Sequence, residues 1–217
     1  MAELIGVYGA GGCGRGLMPL VRDQFAVSEN VELVFVDDGQ AGRFVNGQRV
    51  VSFADFCVRP ARAKRMVLAV ADGGVRRRLA VECEAASIDF FEVRAANVVI
   101  MDDVSIGVGA ALSPGVVVTS NIRIGHHFHC NIGSIVEHDC VIGDYVTFAP
   151  GVRCNGNIEI GDGAYIGAGA MIRQGRHNAR LKIGAGATIG MGAVVIADVP
   201  DGVTIVGNPG RPIARSS

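Results

Sequence analysis

Residues 106–172 read IGVGAALSPGVVVTSNIRIGHHFHCNIGSIVEHDCVIGDYVTFAPGVRCNGNIEIGDGAYIGAGAMI. An apolar residue returns at every sixth position: Ile106, Leu112, Val118, Ile124, Cys130, Val136, Ile142, Phe148, Cys154, Ile160, Ile166 and Ile172. Four residues after each stands a second apolar or small residue, from Ala110 and Val116 through to Ala164 and Ala170. Glycine often follows the first position, as at Gly107, Gly125, Gly143, Gly161 and Gly167. A period this short and this sustained specifies a solenoid, with each hexad one side of a triangular coil. Twelve phased hexads then make about four coils. After Ile172 the phase breaks, and the next hexads start at Ile183, Ile189 and Val195, so Arg173 to Lys182 must contain a loop that leaves the coil. Such a stack buries its interior but leaves apolar residues on its outer faces. A homotrimer of parallel prisms would cover them and place clefts between neighbours.

Working outward, the first ~95 residues follow a different period. Leu4–Tyr8, Val31–Val36, Val45–Val51, Met66–Ala71 and Phe90–Val93 read as strands, with helices starting near Arg15 and running from Arg76 to Ala86. Strands alternating with helical segments predict a parallel sheet with crossover helices. The expected organisation is an α/β half-Rossmann-like domain over 1–97, then a β-helix with a short tail over 98–217.

Bulk composition bounds the function. A hydrophobic content of 49% supports a sizeable core, and 31 glycines with no tryptophan point to tight turns rather than bulky packing. A net charge of −1 gives no footprint for nucleic acid or an acidic membrane surface. No apolar run is long enough to span a bilayer, so no membrane insertion is expected. The six cysteines form no CxxC pair, and Cys130, Cys140 and Cys154 fall on interior positions, which favours a reducing compartment. Leu4 to Gly9 is a short strand feeding a glycine turn, not a signal peptide. Together these predict a cytoplasmic protein.

The segment Glu137-His138-Asp139 interrupts the hexad between its inward positions, Val136 and Cys140. An imidazole at such a corner can serve as a general base near neutral pH, with a neighbouring carboxylate orienting it. The same pattern is also that of a solvated polar corner. At the N-terminus, Gly9, Gly11 and Gly14 form a GxGxxG that follows a strand and opens a helix, with Asp37 and Asp38 just over twenty residues on. That arrangement suits a nucleotide, its phosphate on the helix N-terminus and its ribose or base near the acids. Arg76-Arg77-Arg78 reads equally as a phosphate-binding run or as a solvated helix face. His126, His127 and His129 are too crowded for a shared metal, so no metal site is expected; they read as a solvated or subunit-interface cluster. Cys140 and Cys154, on interior positions, are poor candidates for acyl-carrying nucleophiles.

"IVEHDCVIGD" (135–144), "APGVRCNGNIEIGDGAYIGAGAMI" (149–172) and "IGMGAVVIADVPDGVTIVGNPGRPI" (189–213) resemble the family of sialic-acid O-acetyltransferases and bacillosamine-type nucleotide-amino-sugar N-acetyltransferases. The resemblance covers nearly the whole chain. It implies a left-handed β-helix and transfer of acetyl from acetyl-CoA to a nucleotide-linked amino sugar. It also implies His138 as general base, Asp139 supporting it, and Asn131 and Glu137 in the acceptor pocket. By family position, the Gly156 N–H meets the oxyanion. CoA is expected along the solenoid between subunits, past Gly167, Ala168 and Gly186, with Arg211 on a phosphate. The nucleotide is expected at Gly11, Gly12, Cys13, Asp37, Asp38 and Asp72, with Arg15 and Arg76 as phosphate partners.

The chain departs from the family in places. Thr147 stands where many members have a histidine that contacts the acetyl donor; its hydroxyl can donate a hydrogen bond but takes up no proton near pH 7. Cys13 replaces the histidine of "GGH", Ala71-Asp72-Gly73 replaces "GDN", and Arg94-Ala95-Ala96 replaces "HPS". The loop Gly175 to Arg180 reads either as a cover for a neighbour's cleft or as an inert excursion. Alternatives to N-acetylation are O-acetylation of sialic acid or another sugar hydroxyl, a catalytically silent nucleotide-sugar sensor or scaffold, and a zinc hydratase.

Overall fold

The computed structural model describes residues 1–28 and 30–213. The N-terminal unit is built from β1 (Glu3–Tyr8), α1 (Gly12–Gln24), β2 (Val31–Val36), β3 (Phe44–Val45), β4 (Gln48–Val51), α2 (Phe53–Val58), β5 (Lys64–Leu68), α3 (Gly73–Ala85) and β6 (Asp89–Phe90). The sheet order is β3-β4-β2-β1-β5-β6, parallel except for the β3–β4 pair. The strand expected over Val45–Val51 around the Asn46-Gly47 turn is a hairpin turned at those two residues, both with positive φ. The helix α2, which the periodicity did not predict, is capped by Ser52 accepting from the Asp55 N–H at 3.0 Å.

The chain crosses from β2 on one side of β1 to β5 on the other. The carboxyl ends of β1 and β5 therefore form the switch-point crevice where α/β sheets bind ligands. Gly14 makes the tight approach of α1 to β1 possible, since a Cβ there would lie 1.8 Å from the Gly9 carbonyl.

From Val93 onward the chain coils into a parallel β-helix with sheets of eight, six and five strands, the first closed by the antiparallel strand Arg211–Ile213. The expected boundary at 97/98 is too late. The strand β7 (Val93–Arg94) already pairs in parallel with Ala111–Leu112 of the next coil. The hexad pattern could not show this, because β7 packs against α1 and its neighbours rather than into the solenoid interior. Inside the prism the hexad residues stack in columns: Ile124, Ile142, Ile160 and Ile183 form one, and Val118, Val136, Cys154, Ile172 and Val195 another. No helix among the described residues is long and apolar enough to cross a membrane.

Candidate active site

The Glu137–Cys140 turn joins Ile135–Val136 of one sheet to Val141–Ile142 of the next, at one corner of the prism. It is fixed from both sides. The Asp139 N–H donates to the Ser120 carbonyl of the coil below at 3.1 Å, and the His138 carbonyl accepts from the Asn157 N–H above at 2.9 Å. Asp139 sits in the left-handed region, at φ 60, which turns its carboxylate back onto the preceding residue. His138 Nδ1 lies 2.7 Å from Asp139 Oδ2. An ionised carboxylate only accepts, so the Nδ1 proton belongs to this contact and the Nε2 lone pair is left free. The hydrogen bond from His138 is the main reason the Asp139 carboxyl is held below its usual range. The imidazole is half-exposed and lies flat on the next coil, directly over Gly156. A Cβ at Gly156 would fall 2.5 Å from its Cε1 and 2.6 Å from its Nε2. The Gly156 N–H meets no acceptor among the described residues.

Asn131 is not at this corner. It begins the preceding turn, between His129–Cys130 and Ile135–Val136, a full side of the prism away from His138. There it lines a cleft of about 440 Å³ between the solenoid and the N-terminal unit, together with Gly12, Cys13, Leu17, Ser113 and Phe148. The α1 N-terminus faces this region; among the described residues no side chain caps it, and the Gly12 and Cys13 N–H groups are open. Arg15 is exposed beside it. Asp37 supports the glycine loop by accepting from the Ala10 N–H at 2.9 Å and the Gly39 N–H at 3.1 Å. Asp38 accepts from the Phe53 N–H, and Asp72 caps α3 by accepting from the Val75 N–H, each at 2.8 Å. All three acids ring the crevice, but each already holds a backbone N–H.

Several expectations need correction. Arg76 is not a phosphate partner. It is fully buried, and its guanidinium donates to the carbonyls of Val70, Ala71, His127, Tyr145 and Val146 and to Thr147 Oγ1. Burial pulls its pKa down only to about 10, so it stays a cation at neutral pH. It pins the N-terminal unit to the solenoid. Thr147 serves the same seam: its hydroxyl donates to the Ala71 carbonyl and accepts from Arg76, both at 2.8 Å, which leaves it no free donor for an acetyl group. Gly167 is buried against the next coil, where a Cβ would lie 2.6 Å from the Met191 N, so it makes a corner rather than a flat ligand surface. Ala168, Gly186 and Arg211 are exposed.

The histidine cluster is divided: His126 is exposed, whereas His127 and His129 are not solvated. His127 is buried between the rings of Phe90 and Tyr145, and burial, reinforced by Arg76, lowers its pKa to about 4. His129 is buried on the cleft wall and is likewise held neutral by desolvation. Cys140 and Cys154 are 0% exposed, with their thiols near backbone carbonyls, so no acyl carrier is accessible here.

No family model matches the chain. It is 46% identical to a GDP-perosamine N-acetyltransferase of Escherichia coli O157:H7, over 99% of this chain and 98% of that one. The chain belongs to the nucleotide-sugar acetyltransferases of this left-handed β-helix family. Its members use acetyl-CoA, and the chain is a sugar acetyltransferase of this kind. Among solved structures, WeeI from Acinetobacter baumannii AYE superposes with a TM-score of 0.96 at 51% identity, covering 98% of this chain and all of that one. A histidine-to-asparagine variant of the perosamine N-acetyltransferase from Caulobacter crescentus, in complex with CoA and GDP-perosamine, superposes with a TM-score of 0.87 at 26% identity, over 97% of this chain and 96% of that one.

Proposed function

We propose that the chain N-acetylates a nucleotide-linked amino sugar of the GDP-perosamine type, as a cytoplasmic homotrimer with His138 as general base. The observation that carries the reading is the His138–Asp139 pair at 2.7 Å, laid on a glycine whose N–H is open, in a chain alike throughout its length to a named N-acetyltransferase. The acceptor amine attacks the thioester carbonyl while Nε2 of His138 takes its proton, and the thiolate of CoA leaves with that proton. Asp139 steadies the imidazolium, and the Gly156 N–H receives the oxyanion. Both substrates are held together, so no acyl-enzyme is needed. The open N–H groups of α1 suit the sugar nucleotide's diphosphate, and the cleft beside Asn131 suits its hexose. Acetyl-CoA with GDP-perosamine should give a product one acetyl group heavier that survives mild base, as an amide does. A base-labile product would mean O-acetylation, and no transfer to any amino-sugar nucleotide would leave only a silent binder.

The separation of the two corners supports the trimer. One chain does not bring its own cleft to its own His138, whereas neighbouring prisms would. Val108, Ile132, Met171 and Met191 stand 52–83% exposed on the outer faces, ready to be covered. Asn131→Trp should block the cleft, and His138→Ala should remove the base. Each variant alone is expected to be nearly inactive. Co-refolded in equal parts, they should recover about a quarter of the wild-type activity, through interfaces that pair one intact half with the other. Zero recovery would place both halves of the site within one chain.

A further inference from the structure

The turn between Met171–Ile172 and Leu181–Ile183 is five residues longer than the one below it, between Arg153–Cys154 and Ile158–Ile160. This is the loop that the broken hexad phase required, and it is an ordered platform. Arg176 and Ala179 exchange backbone hydrogen bonds at 2.9 and 3.0 Å. The Gly175 N–H donates to the Gly156 carbonyl at 3.0 Å, and the Leu181 N–H donates to the Asn157 carbonyl at 3.1 Å. Arg180 Nε reaches down to the Asp139 carbonyl at 3.3 Å. Gly175 sits so close to the turn below that a Cβ would fall 2.0 Å from the Asn157 oxygen. The loop thus stands on the turn that carries the open glycine N–H, which itself lies against the imidazole.

Its charge is one-sided. Arg173, Arg176 and Arg180 line a polar depression of about 350 Å³ in which Asp198 is the one carboxylate. An Asp198 oxygen is already taken by the Lys182 N–H at 2.9 Å. Among the described residues, none of the three arginines pairs with a carboxylate within salt-bridge distance. Three gathered cations against one carboxylate, with no ion pair formed, make a site for an anion with several oxygens, and guanidinium forks fit phosphate.

We propose that this arginine loop binds the phosphate groups at the nucleotide end of CoA while the thioester lies at His138. The inference rests on the acetyl-CoA reading above. Phosphate could also come from the sugar nucleotide, but placement favours CoA. The loop lies two coils above His138 toward the C-terminal end, roughly 10 Å along the axis at about 4.8 Å per coil. The α1 N-terminus and the cleft lie with the earlier coils. The two substrates then enter from opposite ends of the groove and meet at the imidazole.

The test uses Arg173→Ala/Arg176→Ala in the full chain, leaving Arg180 in place because it touches Asp139. The KM for acetyl-CoA should rise about tenfold, the loss expected for charge-assisted phosphate contacts at an exposed site, with kcat near wild type. With acetyl-pantetheine, which lacks the nucleotide phosphates, the variant and the wild type should show equal KM. The wild-type KM for acetyl-CoA should also climb more steeply with salt than the variant's. An unchanged acetyl-CoA KM in an active enzyme overturns the proposal. So does a rise confined to the nucleotide-sugar KM, which would give the loop to that substrate. If the wild type transfers no acetyl at all, the acetyltransferase reading fails by itself. Calorimetry with CoA on both proteins then decides the loop separately: equal affinities reject it, and weaker binding by the variant sustains it.

Discussion

His138→Gln should lower kcat by about 10²- to 10⁴-fold, the usual contribution of a positioned general base, or about 2.7–5.5 kcal/mol of barrier. Glutamine keeps a polar side chain of similar reach but cannot accept the amine proton. The KM for acetyl-CoA should stay within a few-fold, because the imidazole is assigned to proton transfer and not to holding the donor. Steady-state kinetics with both substrates varied would show this, and near-normal turnover would remove His138 from the base role. Gly156→Ala should produce the same type of loss with His138 intact. Gly156 is not at a positive φ, so alanine is tolerated by the backbone, and the cost falls on the ring, which a Cβ at 2.5 Å must push off its seat. A displacement of about 1 Å can cost about 10² in rate. A kcat for Gly156→Ala equal to the wild type would show that the ring position seen here is not the reactive one.

The hexads from Ile106 to Ile172 were legible because a solenoid interior is local: each residue's inward partners lie one coil, 18 residues, away in a strict register. The same regularity revealed the Arg173–Lys182 excursion, since only an insertion can break such a phase. The His138 corner could be read for the same reason, as a charged triplet between two interior positions. The seam between the two units was not legible. In the sequence Arg76 reads with its neighbours as one basic run, yet on α3 it shares the buried stripe of Ala80 and Cys83, at i, i+4 and i+7. That spacing placed it inward. The solenoid acceptors that receive it, the carbonyls of His127, Tyr145 and Val146 and the Thr147 hydroxyl, lie 51 to 71 residues further on, and no local pattern announces them. His127 misled for a related reason, because its two aromatic neighbours come from β6 and from the following coil. The start of the solenoid was missed because the residues of β7 pack on α1 and obey neither period cleanly.

Removing Arg76 should therefore be the most damaging single change outside the His138 corner. In Arg76→Met a side chain of similar length keeps the packing but donates nothing. Burying the guanidinium was itself costly, so its loss returns some desolvation energy. The acceptors remain, however, and the contacts to the His127 and Val146 carbonyls are fully buried. The Val146 oxygen keeps the His129 N–H at 3.0 Å, while the His127 oxygen has no other donor among the described residues. Val70 and Ala71 are more open and can regain water. At about 1–3 kcal/mol for each buried acceptor left unpaired, with Tyr145 adding a partly buried one, the net loss should be about 3 kcal/mol. For a chain of this size that corresponds to a fall in Tm of about 6–12 °C. Arg76→Lys should lie between, because an ammonium has three donors where the guanidinium serves six acceptors. Thermal unfolding followed by circular dichroism gives the Tm. Amide exchange at Thr147 and along α3 would locate the loss, since these groups face each other across the seam. If Arg76→Met melts with the wild type and exchange at the seam is unchanged, the two units are held together by their apolar contacts, and the six hydrogen bonds merely fill a place that packing has already made.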